Sequence, residues 1–97
     1  DRIMSGNVIR DKSYDFALRI IKMHKYMIKN NVEYILAKQL LKSGTSIGAN
    51  VEEACSAQSR NDFIHKLSIA QKEAFETSYW LRLLKDSGEI KKNMLIA

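Results

Sequence analysis

Asn50, Glu53, Glu73 and Glu76 are the residues whose types and spacing come closest to a reactive centre. Carboxylates near an amide are the raw material of acid–base or metal chemistry, and Glu73 and Glu76 share a helix face through their i, i+3 spacing. A di-metal helical bundle, however, needs Glu-x-x-His on each of two helices. That pattern is absent, and the nearest form, Asp62-x-x-His65, lies on the same helical stretch as Glu73-x-x-Glu76. Asp62 and Glu73 would stand about 16 Å apart at about 1.5 Å per residue. One metal ion cannot use both pairs. The reading that fits better is a structural polar network of Ser43, Ser46, Asn50, Glu53, Glu73 and Glu76, with Asn50 and the serines donating to carboxylates. No cysteine–histidine cluster suits zinc, and no serine has a candidate base at fixed spacing. Gly44-x-x-x-Gly48 lacks the Lys-Ser/Thr that completes a phosphate-binding loop. No catalytic residue, metal or cofactor is therefore expected.

A second constellation is electrostatic. Between Phe16 and Val51 lie Arg19, Lys22, Lys25, Lys29, Lys38 and Lys42 against one acid, Glu33. That surplus equals the +5 of the whole chain, so the remainder is neutral. Arg19, Lys22, Lys25 and Lys29 fall on one exposed helix face with Tyr26 among them. Such a stripe binds phosphate backbones by counterion release, without base specificity. The competing reading is a solvated face, because acids (Asp11, Asp15) early and lysines late are what the helix macrodipole favours. Tyr79-Trp80 has rings that stack on bases, but Trp80 sits about a third of a turn from the helix seam described below and reads as bundle core or subunit interface. His24, on an apolar stripe, reads as a core or interface histidine, and His65, beside Lys66, as exposed.

These residues need helices to position them. The run Lys42–Ala54 has a loop-like composition, yet Leu40, Gly44, Ile47, Val51 and Ala54 recur with helical period. A polar stripe, Gln39, Ser43, Ser46, Asn50 and Glu53, runs beside them. Two glycines in a helix each cost roughly 0.5–1 kcal/mol relative to alanine, so the small patch implies close approach of another backbone. The first helix is expected from about Val8 to Lys29, with Phe16, Ile20, Met23 and Met27 on one stripe and Ala17, Ile21, His24 and Ile28 on the next, together a wide buried face. Asn30-Asn31 is the turn, with Asn31 the expected N-cap of a second helix from about Glu33 to Ala57. Ser59 is the expected N-cap of a third, from about Arg60 to Ser87, with Asp62 completing an acidic capping box. Along it Phe63, Leu67, Ala70, Ala74, Thr77, Leu81 and Leu84 form a heptad seam. Gly88 suits a left-handed cap, and a fourth helix is expected near Lys91.

The stretch from Ser43 through Ser46-Ile47, Asn50 and Glu53 resembles the core of the 23S rRNA intervening-sequence protein family. Phe63–Ala70, Glu73, Glu76-Thr77 and Tyr79-Trp80-Leu81 agree with it, as does the opening Lys12–Ala17. The resemblance implies an up-down four-helix bundle assembled as a homopentamer. A related branch, the accessory proteins of diversity-generating retroelements, is basic and works with a reverse transcriptase and nucleic acid.

Composition sets outer bounds. Ninety-seven residues make one domain, 1–97, and a chain this short gains from oligomerisation. Hydrophobic content of 45% with no proline suits long helices. The single cysteine, Cys55, shares a face with Val51 and Gln58 and reads as a buried, inert thiol. No apolar run approaches the roughly 20 residues that cross a bilayer, and no signal peptide is recognisable, so a cytoplasmic protein is expected. The chain is also expected to be incomplete, since it opens at Asp1 and stops at Met94-Leu95-Ile96-Ala97, an apolar helix start. The expected fold is all-α, an up-down antiparallel four-helix bundle with its fourth helix cut short. The expected function is non-catalytic binding of RNA or DNA through the basic face, as an accessory to a nucleic-acid-processing partner. A protein–protein scaffold ring that touches no nucleic acid is the alternative, and a bundle metalloenzyme ranks last.

Overall fold

Three helices run up, down and up in the computed structural model, which describes residues 2–90, with side chains from residue 8. They are α1 (Arg2–Lys29), α2 (Tyr34–Cys55) and α3 (Arg60–Asp86). No strand occurs among the described residues. The helix expected from Lys91 lies outside the described residues, so what is seen is an all-α, three-helix arrangement. Its long dimension is 44 Å, about the 42 Å that a 28-residue helix spans.

The turns explain themselves chemically. After α1, the Asn31 N–H donates to the Ile28 carbonyl (3.2 Å) and the Val32 N–H to the Met27 carbonyl (3.0 Å). Asn31 itself takes φ +58°, the left-handed conformation that asparagine tolerates better than most residues. This is a Schellman motif, and Met27 and Val32, which such a motif brings together, are both buried. Asn31 therefore ends α1 and does not cap α2. Glu33 does so instead, its carboxylate accepting from the N–H groups of Ile35 (3.2 Å) and Leu36 (2.8 Å). Gly88 (φ +81°) closes α3 in the same way, with its N–H on the Lys85 carbonyl and the Glu89 N–H on the Leu84 carbonyl. Ser59 caps α3 as expected, its hydroxyl oxygen accepting from the Asp62 N–H at 3.0 Å.

α2 is central, and α1 and α3 pack on either side of it. The small-residue patch faces α1. A Cβ added to Gly44 would lie 2.9 Å from two side-chain carbons of Ile20, and one added to Gly48 would lie 3.2 Å from the Ser13 backbone oxygen. The loop-like composition of this segment is absorbed within the helix. Thr45 donates to the Leu41 carbonyl (2.8 Å), Ser46 to the Lys42 carbonyl (2.7 Å) and Asn50 to the Ser46 carbonyl (2.9 Å).

The main core gathers at the end of the molecule where α1 turns into α2. Met27, Val32, Leu40, Leu84 and Ile90 are buried there, with Trp80 and Leu36 packed against them. The Glu89 carboxylate accepts the Glu33 N–H at 2.7 Å and ties the turn after α3 to the start of α2. Between α1 and α3 lies an open groove of about 510 Å³, lined by Ile9, Phe16, Ile47, Val51, Ala74 and Leu81 among others.

Three expectations are corrected. Along the α3 seam Ala70, Thr77 and Leu84 are buried, whereas Ala74 is exposed at the groove. On α1 the Phe16–Ile20–Met23–Met27 stripe turns inward, but Ile21 and Ile28 are 39% and 42% exposed. A helix flanked on one side has too little neighbouring surface to cover both stripes. Cys55 is exposed, not buried, because α2 ends at that residue and Gln58 no longer continues its face.

Gly48→Leu should lower unfolding stability by about 1–3 kcal/mol despite its better helix propensity, because the Ser13 backbone cannot yield as a side chain would. Chemical denaturation checks this, and an unchanged or higher midpoint would show that α1 is not held at Gly48.

Candidate nucleic-acid interface

Arg19, Lys22, Lys25, Lys29, Lys38 and Lys42 are all exposed. The helix contacts show how the two groups are related. Gly44 meets Ile20 and Gly48 meets Ser13, so α1 and α2 are antiparallel and their facing residue numbers sum to a nearly constant value. That register puts Lys42 at the height of about residue 21 and Lys38 at about residue 25. All six cations thus occupy the half of the α1–α2 hairpin nearest its turn. The same register sets Glu52 and Glu53 level with about residues 10–11, beside Asp11 and Asp15 in the other half. The hairpin is basic at its closed end, whereas toward its open end these acids are partly balanced by Arg10 and Lys12. Glu33, the one acid in the basic half, has its carboxylate engaged at the α2 N-terminus.

Apolar and aromatic side chains interleave with these cations. Tyr26 is 49% exposed and Tyr34, the first residue of α2, is 61% exposed. Tyr14, Leu18, Ile21 and Ile28 form an exposed stripe broken by Lys25. Sequence reasoning placed Ile21 and Ile28 in the core. Leu18, spaced with Tyr14, Ile21 and Ile28, was the signal that a second apolar line exists on α1.

The six polar-network residues do not link into one system. Ser43 is fully buried, and its hydroxyl pairs with that of Thr77 (Oγ–Oγ1 3.0 Å), which in turn lies 2.7 Å from the Glu73 carbonyl. Ser46 and Asn50 donate to carbonyls of their own helix, not to carboxylates. Glu53 instead forms an ion pair with Lys66 at 2.7 Å, joining α2 to α3. That hydrogen bond and the neighbouring negative charge raise the Lys66 ammonium above its ordinary pKa, so the pair keeps its cation well beyond neutral pH. Glu76 accepts from the Trp80 indole N–H at 3.3 Å. The Ser43–Thr77 and Glu53–Lys66 links escaped sequence reasoning. A threonine on a heptad seam was the available hint, since a buried hydroxyl requires a partner.

His65 is exposed and His24 is half-buried. Among the described residues no three His, Cys, Asp or Glu side chains gather as a metal site. No described helix is long and apolar enough to cross a membrane.

An up-down helical layer with a close glycine-mediated contact and no strand among the described residues defines an all-α helical type of protein. The model of the 23S rRNA-intervening sequence protein family matches residues 6–96, and the chain belongs to that family. A crystal structure of a protein of unknown function from the S23 ribosomal protein family of Bacteroides thetaiotaomicron VPI-5482 is similar to it. The two share 52% identity and a TM-score of 0.87, over 91% of this chain and 79% of that one. No curated protein matches the sequence significantly.

Thr77→Val should cost about 1–3 kcal/mol by leaving the Ser43 hydroxyl with only the distant Leu40 carbonyl, 3.5 Å away. Adding Ser43→Ala should recover part of that loss, so a double-mutant cycle by denaturant melts should give a non-additive pair. Strict additivity would show that the two hydroxyls do not interact.

Proposed function

We propose that this protein is a non-catalytic homo-oligomer that binds RNA or DNA through the basic half of the α1–α2 hairpin. It would act in the cytoplasm as an accessory to a nucleic-acid-processing partner. The observation that carries this reading is the register that gathers Arg19, Lys22, Lys25, Lys29, Lys38 and Lys42 at one end while the nearby acid is held in a helix cap. A solvated face needs no such gathering, whereas phosphate binding gains from every cation within reach. The resemblance to the accessory proteins of diversity-generating retroelements points the same way.

The fold reading extends with it. In the same reading a fourth helix covers the apolar groove between α1 and α3 and completes an up-down four-helix bundle. The open apolar groove supports this. The bundles assemble further, as a pentamer by the family resemblance. The exposed Tyr14, Leu18, Ile21 and Ile28 on α1 and Phe75 on α3, 69% exposed, supply apolar surface for such contacts. The same surface favours the second reading, a scaffold ring that contacts only protein.

Reversing Lys22 and Lys25 to glutamate should weaken binding to all sequences alike and flatten its salt dependence, while the melting temperature stays near wild type. Each phosphate contact contributes a slope of about −0.9 on duplex DNA or −0.7 on a single strand in the logarithmic salt plot. Gel-shift titrations with single-stranded RNA, duplex RNA and duplex DNA check this. Unchanged affinity and slope would reduce these lysines to a solvated face, and absence of wild-type binding at low salt would favour the scaffold. Sedimentation of the protein should give a species larger than a dimer at micromolar concentration, and a monomeric mass would remove the ring.

A further inference from the structure

We infer that the basic half of the hairpin takes single-stranded nucleic acid in preference to duplex, with bases stacking on Tyr26 and Tyr34. The inference rests on the nucleic-acid reading above and specifies its substrate class. Arg19, Lys22, Tyr26 and Lys29 follow one another at steps of three, four and three, so they form one ridge of α1 with the ring set between cations. Tyr26 is 49% exposed, and across the hairpin Tyr34 is 61% exposed, one turn before Lys38 on α2. Backbone charge neutralisation needs only the lysines. The rings add something a duplex cannot use, because its bases are already stacked and present only their edges. An unpaired base has an open face, and stacking it on an aromatic side chain tightens binding roughly five- to a hundredfold per base, with little regard to sequence.

The other aromatic pair shows what such a platform cannot look like. Tyr79 and Trp80 meet edge to face at 5.2 Å, and the Arg82 guanidinium lies over the Tyr79 ring, 6.0 Å from its centre. Trp80 is half-buried, with its indole N–H on the Glu76 carboxylate. These two rings are engaged with each other and with Arg82, and a carboxylate stands beside Trp80, although Tyr79 keeps 47% of its surface exposed. Tyr26 has lysines in that position instead.

Fluorescence anisotropy at low salt should compare three probes of one length: oligothymidylate, the same chain with every base removed, and duplex DNA. Wild-type protein should bind oligothymidylate at least about tenfold tighter than the abasic chain and more tightly than the duplex. Tyr26→Ala should bring the first affinity down toward the abasic value and leave duplex binding unchanged, while Tyr26→Phe, which keeps the ring, should retain it. Tyr34→Ala, on the other helix, provides an independent variant should Tyr26→Ala fail to fold. Equal wild-type affinity for oligothymidylate and abasic chain, tighter wild-type binding to the duplex, or folded alanine variants that bind oligothymidylate like wild type, would overturn the inference and leave the phosphate-binding reading standing. Failure of the wild type to bind any of these probes, or single-stranded or duplex RNA, would overturn both.

Discussion

The approach of α1 to α2 across Gly44 and Gly48 is the constraint on which the rest of the molecule depends. With the Ser13 backbone oxygen 3.2 Å from where a Gly48 Cβ would stand, even a methyl group would require the α1 backbone to give by a few tenths of an ångström. Each glycine weakens its own helix by roughly 0.5–1 kcal/mol relative to alanine. The compensation is a helix pair close enough for Ile20, Met27 and Leu40 to be almost fully excluded from water. Antiparallel register follows from the same two contacts. Register in turn decides which cations of α2 stand level with which cations of α1.

The two ends of the molecule are built on different physics. At the closed end, two Schellman turns direct Val32 and Ile90 inward, and the carboxylates of Glu33 and Glu89 satisfy three N–H groups at and beside the start of α2. Negative charge at a helix N-terminus is favourable, so both acids serve structure there and subtract little from the positive surface around them. Away from that end, apolar side chains such as Phe16, Ile47 and Leu81 line an open groove between α1 and α3 in place of a filled core. Between the ends the α2–α3 seam is joined by polar links: the buried Ser43–Thr77 pair and the more exposed Glu53–Lys66 bridge. A buried hydroxyl pair fixes which residues face each other more strictly than apolar contact does, since a slipped register would leave the Ser43 hydroxyl with only the Leu40 carbonyl, 3.5 Å away.

Much of the local structure was legible without coordinates. Ser59 and Gly88 could be assigned because capping is decided by a few adjacent atoms. Asn31 was misassigned because asparagine suits both an N-cap and a left-handed C-terminal position, and a glutamate two residues on was able to take the cap. Cys55 was placed in the core by a period that continued past the real end of α2. In the candidate interface the six cations and their common region were readable as charge, but their gathering in one half of the hairpin required knowing which residue of α2 meets Ile20.

Helical period, capping residues and the +5 surplus are properties of neighbouring residues, and the chain by itself determined them: three long helices, their turns, and a basic segment between Phe16 and Val51. Partner choice belongs to the tertiary structure. A glycine patch signals that something comes close without saying that it is Ser13 and Ile20, and an apolar stripe does not reveal whether a neighbour covers it. Ile20 is buried and Ile21 exposed although they differ by one position and not at all in chemistry. Burial depends on surfaces brought from distant parts of the chain, and helical period alone does not say how wide a face they cover.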